Sequence, residues 1–120
     1  MDIKGIQVQL RKFAAERDWE QFHSPKNLAS ALSVEASELL EHFQWIESEA
    51  SYSLPQGKRE EVAHEMADVL NYLLRLSDVL EIDLERAVNE KIKLNAEKYP
   101  VDRVRGSSKK YTEYQDETKP

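Results

Sequence analysis

Apolar residues recur along most of this chain at the spacing of a helix face rather than in the alternation of a strand. Ile3, Ile6, Leu10, Phe13 and Ala14 make one stripe, and Asp2 ahead of it is a suitable N-cap, so a first helix is predicted to end near Arg17 or Asp18. Trp19 to His23 reads as a connector. Ser24 followed by Pro25 puts a capping hydroxyl before the residue best suited to a first helical position. A second helix should start there and run to about Glu47. Ser48 to Gly57, with Pro55, Gly57 and several serines, is predicted to be a loop between antiparallel neighbours. Val62, Met66, Val69, Leu70, Leu73, Leu76 and Leu80 mark a long third helix over about Lys58 to Glu81. Asp83 can cap a fourth, which carries Leu84, Val88, Ile92 and Tyr99, and Pro100 disfavours helical geometry at Tyr99 and sets its end. Four helices with short links predict an all-α, four-helix bundle over residues 1–100, followed by a polar, basic and loosely ordered tail over 101–120.

Composition narrows the chemistry. The chain has 120 residues, 40% of them hydrophobic, which suits a single globular domain. It has no cysteine, so disulfides, thiolate metal sites and cysteine nucleophiles are excluded, and a reducing, cytoplasmic setting is expected. No apolar run approaches a bilayer span, so no membrane partner is expected. A net charge of -6 argues against a nucleic-acid binder held by phosphate contacts. Residues 103–120 hold five Lys/Arg against three Asp/Glu, which leaves the body at -8.

That acidity is concentrated on two helices. Glu35 lies three residues after Leu32 and four before Leu39, inside the stripe that should face the core, and Glu38 projects from its edge. Glu65 and Asp68 repeat the arrangement beside Val62 and Val69. Such carboxylates are usually paired with Lys or Arg from neighbouring turns. Here no Lys or Arg occurs between Asn27 and Gly57, or between Glu60 and Leu74. Carboxylates gathered without counter-charges must be relieved by protons or cations, and oxygen ligands without thiols favour Mg²⁺, with Mn²⁺ as a substitute. An acidic Mg²⁺ site suits a polyphosphate, because the ion bridges carboxylates and phosphate oxygens. The plain alternative is a solvated acidic face.

Other polar and aromatic residues could complete such a site. Lys91, Asn95 and Tyr99 recur every four residues on the fourth helix and could meet phosphates or a sugar; equally, Lys91 could pair with a carboxylate and Tyr99 fill the bundle end. Trp19, Phe22, Trp45 and Tyr72 offer flat faces for a base. Aromatics in small bundles are more often core, but Trp19 in a connector and Trp45 near a helix end are poorly placed for that role. Glu61-x-x-His64 has the spacing of a di-iron carboxylate motif without its second copy. His42 and His64 read as surface or edge residues, and His23 as a hydrogen-bonding group near a ligand.

Glu35-x-x-Glu38 and Glu65-x-x-Asp68 on successive helices resemble the metal motif of the MazG-like, all-α nucleoside triphosphate pyrophosphohydrolases. Phe13-Ala-Ala-Glu-Arg-Asp-Trp-Glu-Gln-Phe-His23, Asn27-Leu28, Phe43-Gln-Trp45, Lys98-Tyr-Pro100 and Arg105-Gly-Ser-Ser-Lys-Lys-Tyr111 look like its dCTP pyrophosphatase branch. The resemblance implies a helical homo-oligomer, a dimer or a tetramer built from dimers. It also implies cleavage of a nucleoside triphosphate, dCTP or a modified relative, to the monophosphate and pyrophosphate. By position, Glu35, Glu38, Glu65 and Asp68 would hold Mg²⁺, and Trp19 and Trp45 would border the base. Tyr72, Lys91, Asn95 and Tyr99 would contact sugar and phosphates. The basic tail, with Arg105 and Lys110, would close over the triphosphate. Val34 stands where other members have the first Glu of a longer motif, as in the dCTP branch. Leu10 stands where the animal enzymes have a base-reading histidine. A non-catalytic helical oligomer that binds nucleotide or a partner helix, and a di-iron carboxylate protein, are the competing classes.

Overall fold

A computed structural model describes residues 1–107. Its main helices are α1 (Ile3–Glu16), α2 (Pro25–Glu41), α3 (Gln56–Val79) and α4 (Leu84–Lys98), followed by a short α5 (Val101–Val104). No strand occurs among the described residues, so the all-α expectation holds. The chain forms two compact units, Met1–Ile82 and a second beginning at Asp83. No helix among the described residues is long and apolar enough to cross a membrane.

The helix starts follow local chemistry. The Asp2 carboxylate accepts from the Gly5 amide at 2.9 Å, the Ser24 hydroxyl from Asn27 at 3.1 Å, and the Asp83 carboxylate from Arg86 at 3.0 Å. Gly5 is part of the first cap, because a Cβ there would collide with the Asp2 carboxylate. Two helix ends are less expected. Asp18 and Glu81 both have positive φ, 52° and 55°, and each lies just after the end of a helix, α1 and α3. The Trp19 amide returns to the Ala14 carbonyl and the Ile82 amide to that of Ser77, each at 2.9 Å. These are left-handed C-terminal caps built without glycine.

Three boundaries differ from expectation. α2 ends at Glu41 rather than near Glu47. Short-range bonds from His42 to Leu39 and from Phe43 to Leu40 tighten its last turn, where His, Phe and Trp are weaker helix formers than the preceding residues. α3 starts at Gln56, directly after Pro55, rather than at Lys58. The tail is not wholly irregular, because Pro100 opens α5 and its carbonyl accepts from Arg103 and Val104 at 3.0 and 3.1 Å.

Within the first unit α3 is the hub, with α2 packed along it and α1 against it more sparsely. Its fully buried apolar residues are few: Ala14, Leu28, Val62 and Leu74. Ser77 is also buried, and is satisfied by donating to the Leu74 carbonyl at 2.8 Å and accepting from Gln7 at 2.9 Å. In the second unit, α4 leaves Val88, Ile92 and Leu94 exposed. Two stability outcomes are expected in thermal or denaturant unfolding. Leu74→Ala should cost about 3 kcal/mol, because a small core cannot refill the cavity. Glu81→Gly should stabilise by up to about 1 kcal/mol by relieving the left-handed conformation.

Candidate active site

The packing of α2 on α3 brings carboxylates together. One oxygen each from Glu35, Glu38 and Glu65 lie within 4.8 Å of one another. Within residues 1–82 no ion pair engages these groups or Asp68; Arg11, Lys12, Arg17, Lys58 and Arg75 pair with other carboxylates. The Oε1 atom of Glu65 is buried and has no hydrogen-bond partner. A buried carboxylate oxygen with no donor is costly, and two ionised neighbours cannot supply one. The strain appears in the titration of α2. Hydrogen bonding with the Glu65 carboxyl, then partial burial, raises the Glu35 pKa above its ordinary value, and the charges of Glu65 and Asp68 add to the rise against an opposing bond with Glu38. Glu38 is raised as well, first by its hydrogen bond with Glu35 and then by the charge of that residue. All the donors are carboxylate oxygens, so a hard divalent cation fits: it would satisfy the orphaned Oε1 and offset the repulsion. Asp68 is not a member of the three-oxygen group.

Asp68 instead lines an adjoining cavity of about 360 Å³, a volume typical of small-molecule sites. Leu10 and Phe13 of α1, Trp19 of the connector and Tyr72 of α3 form its apolar walls; His23, Asn71 and Arg75 supply polar groups. Trp19 meets Phe13 edge to face, with centroids 5.7 Å apart and planes at 69°, and the Arg17 guanidinium covers the Phe13 ring at 3.6 Å. These contacts orient a tryptophan that is still 46% exposed. His23 accepts at Nδ1 from Arg75 Nε at 3.1 Å. Desolvation, then the charge of Arg75, lowers its pKa.

The expected residues are thus partly assembled. Glu35, Glu38 and Glu65 converge, and Trp19, His23, Tyr72 and Asp68 share one cavity. Trp45, 87% exposed on the turns after α2, does not line that cavity. Lys91, Asn95, Tyr99 and Arg105 belong to the second unit, and Lys110 lies outside the described residues. Glu61 pairs with Lys58 at 3.4 Å, and neither it nor His64 belongs to the carboxylate cluster. Asn71 and Arg75 were missed by sequence reasoning. The available signal was spacing: Arg75 follows Asp68 by seven residues, two turns along the same face.

Comparison with known proteins agrees with this geometry. The profile of the MazG-like family matches residues 30–114. The chain is 48% identical over 116 residues to dCTP pyrophosphatase 1 of Rattus norvegicus, and 47% identical over 117 residues to that of Homo sapiens. Each alignment covers 93% of this chain and 65% of the relative, so the chain spans just under two thirds of those proteins. A crystal structure of a pyrophosphatase from Archaeoglobus fulgidus superimposes with a TM-score of 0.78 at 42% identity, covering 83% of this chain and 94% of that one. Since the family profile spans more than half of the chain, including Glu35, Glu38, Glu65 and Asp68, and the solved pyrophosphatase shares the fold, the chain belongs to the MazG-like family.

Proposed function

We propose that this protein hydrolyses a nucleoside triphosphate between its α and β phosphates, releasing the monophosphate and pyrophosphate, and that dCTP or a modified relative is the substrate. The observation that carries this reading is the partnerless Oε1 of Glu65 inside a three-carboxylate cluster, next to an aromatic cavity sized for a base. The similarity to dCTP pyrophosphatases supports the choice of substrate.

Glu35, Glu38 and Glu65 would hold Mg²⁺, with Asp68 completing the set from the cavity side; Mn²⁺ would substitute. When bound, the ion supplies positive charge that reconciles an acidic site with a polyphosphate and offsets charge developing on the leaving pyrophosphate. The residues of the chain do the positioning. Trp19, Phe13 and Tyr72 form an apolar slot that excludes water from the faces of a base, while Asp68 marks the end nearest the phosphates. One water is consumed across the anhydride, and no side-chain nucleophile is needed. Trp45, Lys91, Asn95, Tyr99, Arg105 and Lys110 remain assigned to substrate contact by resemblance, and His23 by its place in the wall of the cavity.

A homo-oligomer, dimer or tetramer, is part of the same reading. Val34, Leu40, Met66 and Ile92 are each more than half exposed on the single chain, more apolar surface than so small a core balances. The absence of cysteine suits a cytoplasmic setting.

Purified protein incubated with Mg²⁺ and a panel of nucleotides is expected to release pyrophosphate, fastest from dCTP; release of orthophosphate alone would refute the reading. Glu38→Gln and Asp68→Asn should each lower turnover by at least about 100-fold, the upper range seen for groups that merely support metal ligands, while circular dichroism stays helical. Metal dependence should follow pH. Glu35 and Glu38 hold their protons above the ordinary carboxylate range, so protons compete with Mg²⁺ as the pH falls into that window. Ionising them in the metal-free fold costs more than in the unfolded chain, so their effect on metal-free stability worsens as pH rises through the raised pKa values. The gain in melting temperature on adding Mg²⁺ is therefore expected to be larger at neutral than at mildly acidic pH.

A further inference from the structure

Arg75 is a charged residue in the wall of the aromatic cavity that is only 8% exposed. Its guanidinium is held at two of three nitrogens, with Nε donating to His23 Nδ1 and Nη1 to Asp78, both at 3.1 Å. Asp78 is in turn gripped from α1 by Arg11, whose Nη2 and Nε donate at 2.6 and 3.0 Å. The clamp therefore draws on α1, the connector and α3, and the guanidinium plane is set before any ligand arrives. Nη2 makes no hydrogen bond among the described residues. One carboxylate serves two guanidinium groups, and Glu20 acts on both Arg11 and His23, so what sets this end of the cavity apart from the end marked by Asp68 is a fixed hydrogen-bond donor rather than a net charge.

Distance along α3 separates the two ends. Glu65, Asp68, Tyr72 and Arg75 follow one another at intervals of three, four and three residues, and the rise of a helix puts Arg75 about 10 Å beyond Asp68. On α3 Arg75 therefore starts two turns away from the carboxylates that would hold a phosphate. A base lying along Tyr72 and Trp19 brings its far edge to it. A guanidinium only donates, so His23 must accept at Nδ1 and carry its proton on Nε2. Burial, then the charge of Arg75, lowers the pKa of that ring against an opposing effect of Glu20, and the net shift favours its neutral form.

We propose that Arg75 is the specificity-determining residue of the cavity. Its fixed, donor-only Nη2 corner selects a base that presents a carbonyl oxygen beside an unprotonated ring nitrogen, the edge of cytosine, over adenine, which has no carbonyl, and thymine, whose ring N–H opposes a donor. This inference rests on the function proposed above and deepens it.

The test compares kcat/KM for dCTP, dTTP and dATP with Mg²⁺ in the parent protein and in Arg75→Met. The preference for dCTP over dATP should fall at least about tenfold, the range for a lost hydrogen bond to a charged group. A uniform loss across all three nucleotides would show a phosphate or purely structural role, and an unchanged ratio would show no role; either overturns the proposal. Because removing a buried charge can disturb folding, the substrate is altered as well. A dCTP analogue with carbon in place of ring N3 should lose at least about tenfold against the parent protein; equal turnover of analogue and dCTP would also overturn it. Should no nucleotide release pyrophosphate, the catalytic reading fails by itself. Calorimetric binding of dCMP and dAMP then decides the question: a preference for dCMP that Arg75→Met removes sustains the inference, and equal binding ends it.

Discussion

Three carboxylates brought within 4.8 Å of one another are the constraint on which the rest of this molecule turns. The contact between α2 and α3 holds Glu35, Glu38 and Glu65 together, yet no ion pair of the first unit engages them and one buried oxygen of Glu65 has no hydrogen-bond partner. A fold optimised for the empty state would replace such groups with apolar residues or pair them. Keeping them acidic makes sense where a cation completes the set, so helix packing here is spent on building a charge deficit rather than on deepening the core.

The second half of the site is organised by guanidinium groups. Arg11, Asp78, Arg75 and His23 form a chain of hydrogen bonds that ties α1 and the connector to α3. Asp78 is held below the usual carboxylate range, mainly by its bond to Arg11. The network does structural service where apolar packing is sparse, since α1 contributes only Ala14 to the fully buried core. It also fixes the wall of the aromatic cavity. On the proposed reading the site runs from an acidic end that would take metal and phosphate to a fixed donor that would meet the acceptor edge of a base, with aromatic faces between.

Much of this was legible in the residues. The caps at Asp2, Ser24 and Asp83 stand where expected, because a capping side chain acts on an amide only three positions away. The paired acidic motifs were readable for a similar reason: helical spacing places both members on one face, and the missing Lys and Arg are visible in the sequence. The end of α2 was not, because the periodicity of Phe43 and Ile46 continues past the point where i to i+3 bonds have replaced the helix. Asn71 and Arg75 were passed over because an arginine on an amphipathic helix ordinarily lies in solvent.

What the chain determined by itself was the helical class, the capped starts and the identity of the acidic groups, since all of these follow from interactions within a few residues. Tertiary structure alone decided that Glu65 joins Glu35 and Glu38 while Asp68 faces the cavity. It alone turned Arg75 inward to meet His23, 52 residues away, and brought Arg11 to Asp78 across 67. Contacts at such separations depend on how helices pack, and no local propensity encodes the angle at which one rod lies against the next.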